Sequence, residues 1–430
     1  MSYPPIPPGR LALGLPTTAD RVVTLPTIAA WLGGLFCLFM FAQGWEAPLT
    51  GYAITASDSA FLRNAFLPVY GVVVAMMVAQ APDIPKMLLR EPLVLALLGL
   101  VAASVFWSVD PPATVRRVVA LGFTTLVAVL LAGRWSWRSL AEMIGAAFAI
   151  NGVLSLIIAV LKPDWGRMTE LFPGAWRGVW LEKNALGGLM SMGALAQVAA
   201  AIYVPRRRLL WIAMAALSML LVLMSQSKTS LVSLVLGFGV IFACWLAHKG
   251  PAMAVALLWA AVTVVGGAGA VLALAPHLLL DSLGKDATLT GRTVLWAAAW
   301  RQYLLHPTLG YGYGVLWDYQ SQWSPGAWIT HDAKFKAGHA HNGWLETALG
   351  LGAVGEALWI AYFAQVFWRA LKAFFLSTGA ILALPYLVIF TVRTITESEV
   401  LRFHNLEWAQ FVLLAAKMAY PVKREDQPGG

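Results

Sequence analysis

Runs of roughly 20 apolar residues recur from one end of this chain to the other, and no other feature narrows its fold as much. A hydrocarbon core about 30 Å thick takes about 20 helical residues to cross. Inside it every backbone N–H and C=O must be satisfied within the segment, which makes runs of this length helices. Spans are expected near 27–43, 66–81, 92–107, 117–133, 139–161, 184–204, 209–225, 229–247, 252–275, 343–368, 376–392 and 405–421. The expectation is an all-α polytopic membrane protein of about twelve transmembrane helices. Residues 1–275 would hold spans 1–9, residues 276–342 a long loop containing helices, and residues 343–430 spans 10–12. Composition agrees. Of 430 residues, 59% are apolar and 12% charged, about half the charged share of a soluble domain, and the mean hydropathy is +0.71. The proline-rich start offers no small-residue cleavage site after the first apolar run, so that span is expected to be retained.

Lysine and arginine beside spans resist translocation, and with twelve alternating spans they fall on one side. Arg10, Arg21, Lys86, Arg90, Arg134, Arg138, the run Arg206, Arg207, Arg208, then Lys249, Arg369, Lys372, Lys423 and Arg424 are then cytoplasmic, as are both termini. The outer face receives 44–65, 108–116, 162–183, 276–342 and 393–404. A connection of more than 60 residues far exceeds the usual length of about 4 to 6 and is expected to bind or catalyse. The formal charge of +9 comes without basic blocks interleaved with aromatics. That argues against nucleic acid and for membrane lipids or a phosphorylated substrate as partner. Cys37 and Cys244 lie inside apolar runs and read as small hydrophobes rather than a disulfide or metal pair.

Several cations sit outside against the topological rule: Arg116, Arg117, Arg177, Lys183, Lys228, Arg292, Arg301, Arg393 and Arg402. They are donors for an anionic substrate, or else partners of Asp110, Glu182, Glu397, Glu399 and lipid headgroups. Three stretches are more specific. In residues 176–188, Arg177 and Lys183 precede a span that Asn184 is expected to cap. In 225–237, Lys228 stands at the tip of a polar hairpin, where it either snorkels to headgroups or meets phosphate. In 288–314, Thr290 begins a helix with Val294, Leu295, Ala298 and Leu305 at helical spacing, ended by His306 and Pro307. Arg292 then lies in a first turn, where a cation opposes the helix dipole by some tenths of a kcal/mol. A residue placed against its local preference points to function. Tyr311 and Tyr313 follow in a glycine-rich turn.

The segment 338–355, GHAHNGWLETALGLGAVG, carries the most chemistry. His339 and His341 stand at the outer mouth of the tenth span, and an imidazole with an ordinary pKa of about 6.5 can take a proton near neutral pH. Gly338 and Asn342 leave room for the turn into the helix, while Gly352 and Gly355 on one face would allow close packing. His331, Asp332, His339 and His341 match no zinc spacing, so neither metal nor cofactor is expected. Glu356, near the middle of the tenth span, has no assigned role. A transporter or flippase would carry ionisable groups or helix breaks at mid-membrane, and most spans here have no central charge.

His341 and Asn342 followed by Gly352 and Gly355 resemble the histidine motif of the O-antigen ligases, the related O-antigen polymerases and the protein O-oligosaccharyltransferases. Gly291, Arg292 and Trp296 with the following GYGYG are similar to that family's periplasmic-loop signature, and RGVWLEKN and FWSVDPPATVRR to earlier segments. The resemblance implies a GT-C type membrane glycosyltransferase in the bacterial inner membrane with a periplasmic active site. An O-antigen ligase would move saccharide from undecaprenyl diphosphate to a sugar hydroxyl of lipid A-core without metal. A polymerase would use a second lipid-linked repeat as acceptor. Carried over, His341 would be the general base and Arg292 a diphosphate ligand. Arg177, Lys183, Lys228, His339, Asn342, Arg116 and Arg393 would bind substrate.

Overall fold

The computed structural model describes residues 24–52, 59–169, 172–247, 249–274, 292–317, 324–334, 337–376 and 379–420. Arg10, Arg21, Lys423, Arg424, Gly291 and the cap expected from Thr290 lie outside the described residues. Among those described, regular structure is helical apart from one isolated bridge between Arg167 and Trp176. Helices α1 (Leu25–Phe41), α2 (Leu67–Gln80), α3 (Pro92–Ala103), α4 (Pro111–Arg134), α5 (Trp137–Leu161), α6 (Lys183–Tyr203), α7 (Arg208–Met224), α8 (Lys228–Ala247) and α9 (Pro251–Leu274) come first. Two short helices, α10 (Arg292–Tyr303) and α11 (Pro325–Ala333), precede α12 (Gly343–Leu376), α13 (Ala380–Thr396) and α14 (Leu406–Met418).

Local chemistry sets where these helices start. Asp110 accepts the Ala113 N–H at 3.0 Å ahead of the Pro111–Pro112 start of α4, and Asn405 accepts the Trp408 N–H at 2.8 Å ahead of α14. Seven stretches of the described chain are long and apolar enough to cross a bilayer: Ala60–Gln80, Pro111–Arg134, Trp137–Leu161, Lys183–Tyr203, Pro205–Met224, Lys228–Ala247 and Gly343–Phe374. The protein is a multi-pass membrane protein, and exposed side chains such as Val78, Leu209, Val235 and Trp259 are the surface it offers to lipid.

Helix α6 forms the centre, packed against α5, α7, α8 and α13. In its apolar stretch 83% of residues are buried, against 28% in Pro205–Met224, so it meets protein rather than lipid. Helix α14 is likewise buried along nearly its whole length, between α4 and α12. An aromatic cluster of Trp359, Phe363, Phe390, Trp408 and Phe411 locks α12, α13 and α14 together, with the Phe390 and Phe411 rings 4.6 Å apart. The connection 397–405 thus rests on a rigid base.

Two local expectations are corrected. Asn184 does not cap α6: Glu182 holds the cap position without a side-chain bond, and Asn184 lies in the first turn, its Oδ1 accepting the Ser227 hydroxyl at 3.0 Å. Gly352 does not pack along a continuous helical face. It interrupts α12 with φ 67° and ψ −166°, and a Cβ there would lie 2.2 Å from the Thr308 backbone. The freed backbone is satisfied by the loop that follows α10, since Ala353 N–H bonds Pro307 O at 2.7 Å and Tyr311 N–H bonds Leu349 O at 3.0 Å.

Candidate active site

Three segments meet beside the start of α12: the turn 338–342, Arg292 of α10, and residues 396–399 at the end of α13. His341 adopts φ 51°, a left-handed conformation that costs a non-glycine residue on the order of 1 kcal/mol. Its Nδ1 lies 3.1 Å from Glu397 Oε2. The other carboxylate oxygen, Oε1, accepts from Arg292 Nη2 at 3.3 Å, and Arg292 Nη1 donates to the Thr396 carbonyl at 2.8 Å. Burial pushes the Glu397 carboxyl up, but the bond from His341 and the charges of Arg393, His341 and Arg292 outweigh it and hold the group down at about 2. An ionised carboxylate on Nδ1 keeps the proton there and leaves Nε2 as the basic nitrogen.

His339 stacks beside this pair, its ring centroid 3.9 Å from that of His341. The His341 N–H donates to His339 Nδ1 at 3.2 Å. Burial, with the charges of His341 and Arg402, pushes His339 down to about 3, so it is neutral. His339, His341 and Glu397 bring three ligand atoms within 4.8 Å of one another. The carboxylate missing from the sequence view of a metal cluster is thus supplied from 56 residues away. One Glu397 oxygen is nevertheless taken by Arg292, and the charges of Arg292 and Arg402 act on His339, surroundings that oppose a dication.

A cleft opens next to Glu397, lined by Asn184, Gly188, Ser227, Thr229, Ser230, Ser233, Arg292, Arg393, Thr396 and Glu397. Helices α6 and α8 begin at Lys183 and Lys228, so two helix N-termini reach this cleft, and Arg292 of α10 lines it as well. Free N–H groups and the positive dipole ends make such a place favourable for anions. Lys183 and Lys228 flank it: the Lys183 ammonium reaches Gln226 O at 3.4 Å and the Phe172 ring at 3.6 Å, and the Lys228 charge acts on it. Arg393 is buried under the cleft, bonded through Nε to Glu407 at 2.7 Å and through Nη2 to Glu399 at 3.2 Å. Its Nη1 lies against Gly188, where a Cβ would come within 1.8 Å.

The remaining candidates are placed elsewhere. Arg177 lies over the Tyr52 ring at 4.5 Å and donates to Trp165 O at 2.7 Å and Asp164 O at 3.3 Å. Arg116 is exposed on α4, whereas its neighbour Arg117 turns inward to the Gly314 carbonyl. Asn342 caps α12, its Oδ1 accepting the Trp344 and Leu345 N–H groups at 3.0 and 3.2 Å. Arg301 pairs with Asp332 on α11, and Asp332 also touches His331. In the sequence Glu397 reads only as an ion-pair partner of the outer cations, and the hydroxyls of Ser227, Ser230 and Ser233 belong to no motif. The serines at 227, 230 and 233 recur at helical spacing, which was a signal for one polar face of α8.

Residues 213–360 match the family described as O-Antigen ligase. The chain is also 29% identical over 283 residues to the exopolysaccharide production protein ExoQ of Rhizobium meliloti, a match covering 63% of this chain. It spans 62% of that relative, less than two thirds of its length. Arg292, His339 and His341 fall inside the family match, and Glu397 lies beyond it.

Proposed function

From the match of residues 213–360 to the O-antigen ligase family, we propose that the chain is a GT-C type glycosyltransferase of the bacterial inner membrane. It moves a saccharide from undecaprenyl diphosphate to a sugar hydroxyl of lipid A-core. In this reading twelve spans place both termini in the cytoplasm and the cleft at the periplasmic face. One observation carries the proposal: in the His341–Glu397–Arg292 chain, Glu397 and Arg292 line a cleft that the N-termini of α6 and α8 reach.

The chemistry follows from those positions. Departure of a lipid diphosphate gathers negative charge on its oxygens, and donors already fixed in place stabilise that charge more than the ground state. Arg292, Lys183, Lys228 and the N-terminal amides of α6 and α8 are the candidates. His341 Nε2 takes the proton of the acceptor hydroxyl as its oxygen attacks the anomeric carbon, and one displacement inverts that centre. Glu397 keeps Nδ1 protonated and stabilises the imidazolium that forms. Base help of this type contributes about 10² to 10⁴ in rate.

A second acceptor is favoured by the match to a protein named for exopolysaccharide production: another lipid-linked repeat, which would make the chain a polymerase. Purified protein in nanodiscs, given the lipid-linked donor with either lipid A-core or a second lipid-linked repeat, distinguishes the two by product mass. Transport of the donor without any new glycosidic bond would refute both. His341→Ala should abolish transfer while the protein remains folded, and full transfer by that variant would remove the base assignment.

A further inference from the structure

We propose that Glu346 is a positioning residue that sets the aim of His341 by clamping the peptide in front of it, an inference that rests on His341 acting as the base. Glu346 lies in the first turn of α12 and does not line the cleft. Its Oε2 accepts the Ala340 N–H at 2.9 Å and the Ser398 hydroxyl at 3.4 Å, while Oε1 accepts the Trp317 indole N–H at 2.6 Å. On the other side of the same residue, the Trp296 indole donates to the Ala340 carbonyl at 2.9 Å. Ala340 is fully buried, so its N–H and C=O are both held by side chains rather than water.

Two consequences follow from the location. His341 comes directly after Ala340 and takes its left-handed φ of 51° there, so a clamp on that residue decides where the imidazole points. Ser398, which donates to Glu346, also accepts the Asn342 N–H at 3.3 Å and is adjacent to Glu397. One carboxylate therefore ties the segment bearing the imidazole to the segment bearing its partner, and the 3.1 Å contact between His341 and Glu397 depends on both. Trp296, on α10, ties in the element that carries Arg292.

The donor count makes this testable. Ala340 and Trp317 each donate to a different oxygen of Glu346. A glutamine side chain has one accepting oxygen and an NH2, so Glu346→Gln must turn a donor towards one of those N–H groups. We expect Glu346→Gln to lower kcat about 100-fold, the loss typical of a displacement near 1 Å, with the donor KM changed by less than about twofold. Adding Trp317→Phe removes the competing donor and should restore kcat to within about tenfold of wild type. Diethyl pyrocarbonate labelling of His341, read by mass spectrometry without any substrate, should change in Glu346→Gln and return towards wild type in the double variant. A kcat for Glu346→Gln equal to wild type, or a loss that Trp317→Phe does not recover, overturns the positioning role. So does an equal drop in thermal midpoint across Glu346→Gln, Glu346→Asp and the double variant, which would mark a fold-wide role. If wild type itself transfers nothing while His341 labelling still follows Glu346, the enzymatic reading fails and the clamp stands.

Discussion

Replacing Glu397 by glutamine removes one negative charge from a position that serves His341 and Arg292 together. The amide cannot replace both contacts. If its oxygen faces His341 Nδ1, its NH2 opposes the Arg292 guanidinium; if it is turned round, its NH2 forces the proton of His341 onto Nε2 and no base remains. The magnitude follows from the charge that builds up on the imidazole. Two unit charges about 4 Å apart at an effective dielectric of about 20 interact by about 4 kcal/mol, and both groups are mostly shielded, with side-chain exposures of 26% and 16%. At about 1.36 kcal/mol per tenfold, Glu397→Gln should lower kcat by about 10² to 10³ with a smaller change in donor KM. The assay is transfer by purified protein in nanodiscs from a lipid-linked donor, with kcat and KM measured separately. Stability gives an independent check. The carboxyl is held down at about 2 against an ordinary 4.5, so its stabilisation is fully present above about pH 4.5 and is lost as pH falls through about 2. The difference in unfolding free energy between wild type and Glu397→Gln should be flat above pH 4.5 and shrink below it. A variant that keeps kcat within threefold of wild type would refute the reasoning.

Arg292→Ala should remove transfer and Arg292→Lys recover only part of it, because an ammonium cannot hold the Thr396 carbonyl and the Glu397 carboxylate in one fork; equal activity in Arg292→Lys and wild type would argue against that geometry. Asn342→Asp should retain both stability and transfer, and Asn342→Ala should lose about 1 kcal/mol of stability with little change in donor KM, as expected of a helix cap; a KM effect in Asn342→Ala larger than its effect on melting would return Asn342 to substrate binding. Arg393→Ala leaves Glu407 buried without its ion-pair partner and Glu399 with Arg402 alone, a loss of about 3 to 5 kcal/mol, so it should reduce folded protein in the membrane fraction before any kinetic effect is read.

Much of the architecture was legible because a bilayer leaves so few solutions. A described helix lies at each place where a long apolar run stands, and the Asp110 start of α4 is visible in its proline pair. What apolarity does not reveal is whether a run meets lipid or protein. The run near 405–421 is as apolar as the others, and there α14 is buried against α4 and α12 rather than turned to lipid. Arg292 was legible through its conflict with the helix dipole, a local signal. Glu397 was not, since nothing in the sequence joins it to His341 across 56 positions. Gly352 was visible as a small residue, but its positive φ depends on the Thr308 backbone, which packs from outside the helix.

The arginines near the cleft divide by how their charge is balanced. Arg393 meets two carboxylates, Glu407 and Glu399, and shares the second with Arg402 and Asn405. Its attraction for a further anion is thereby largely cancelled, and the free energy of that pairing goes into holding α13 against α14. Arg292 shares a single carboxylate with His341, so each of the two offsets only part of its charge there. When the imidazole gains a proton, Glu397 is drawn more strongly towards His341, and Arg292 is left with a greater share of its charge for whatever lies in the cleft. Proton uptake on one side of Glu397 and anion stabilisation on the other thus rise together, as a displacement that deprotonates an alcohol while releasing a diphosphate requires.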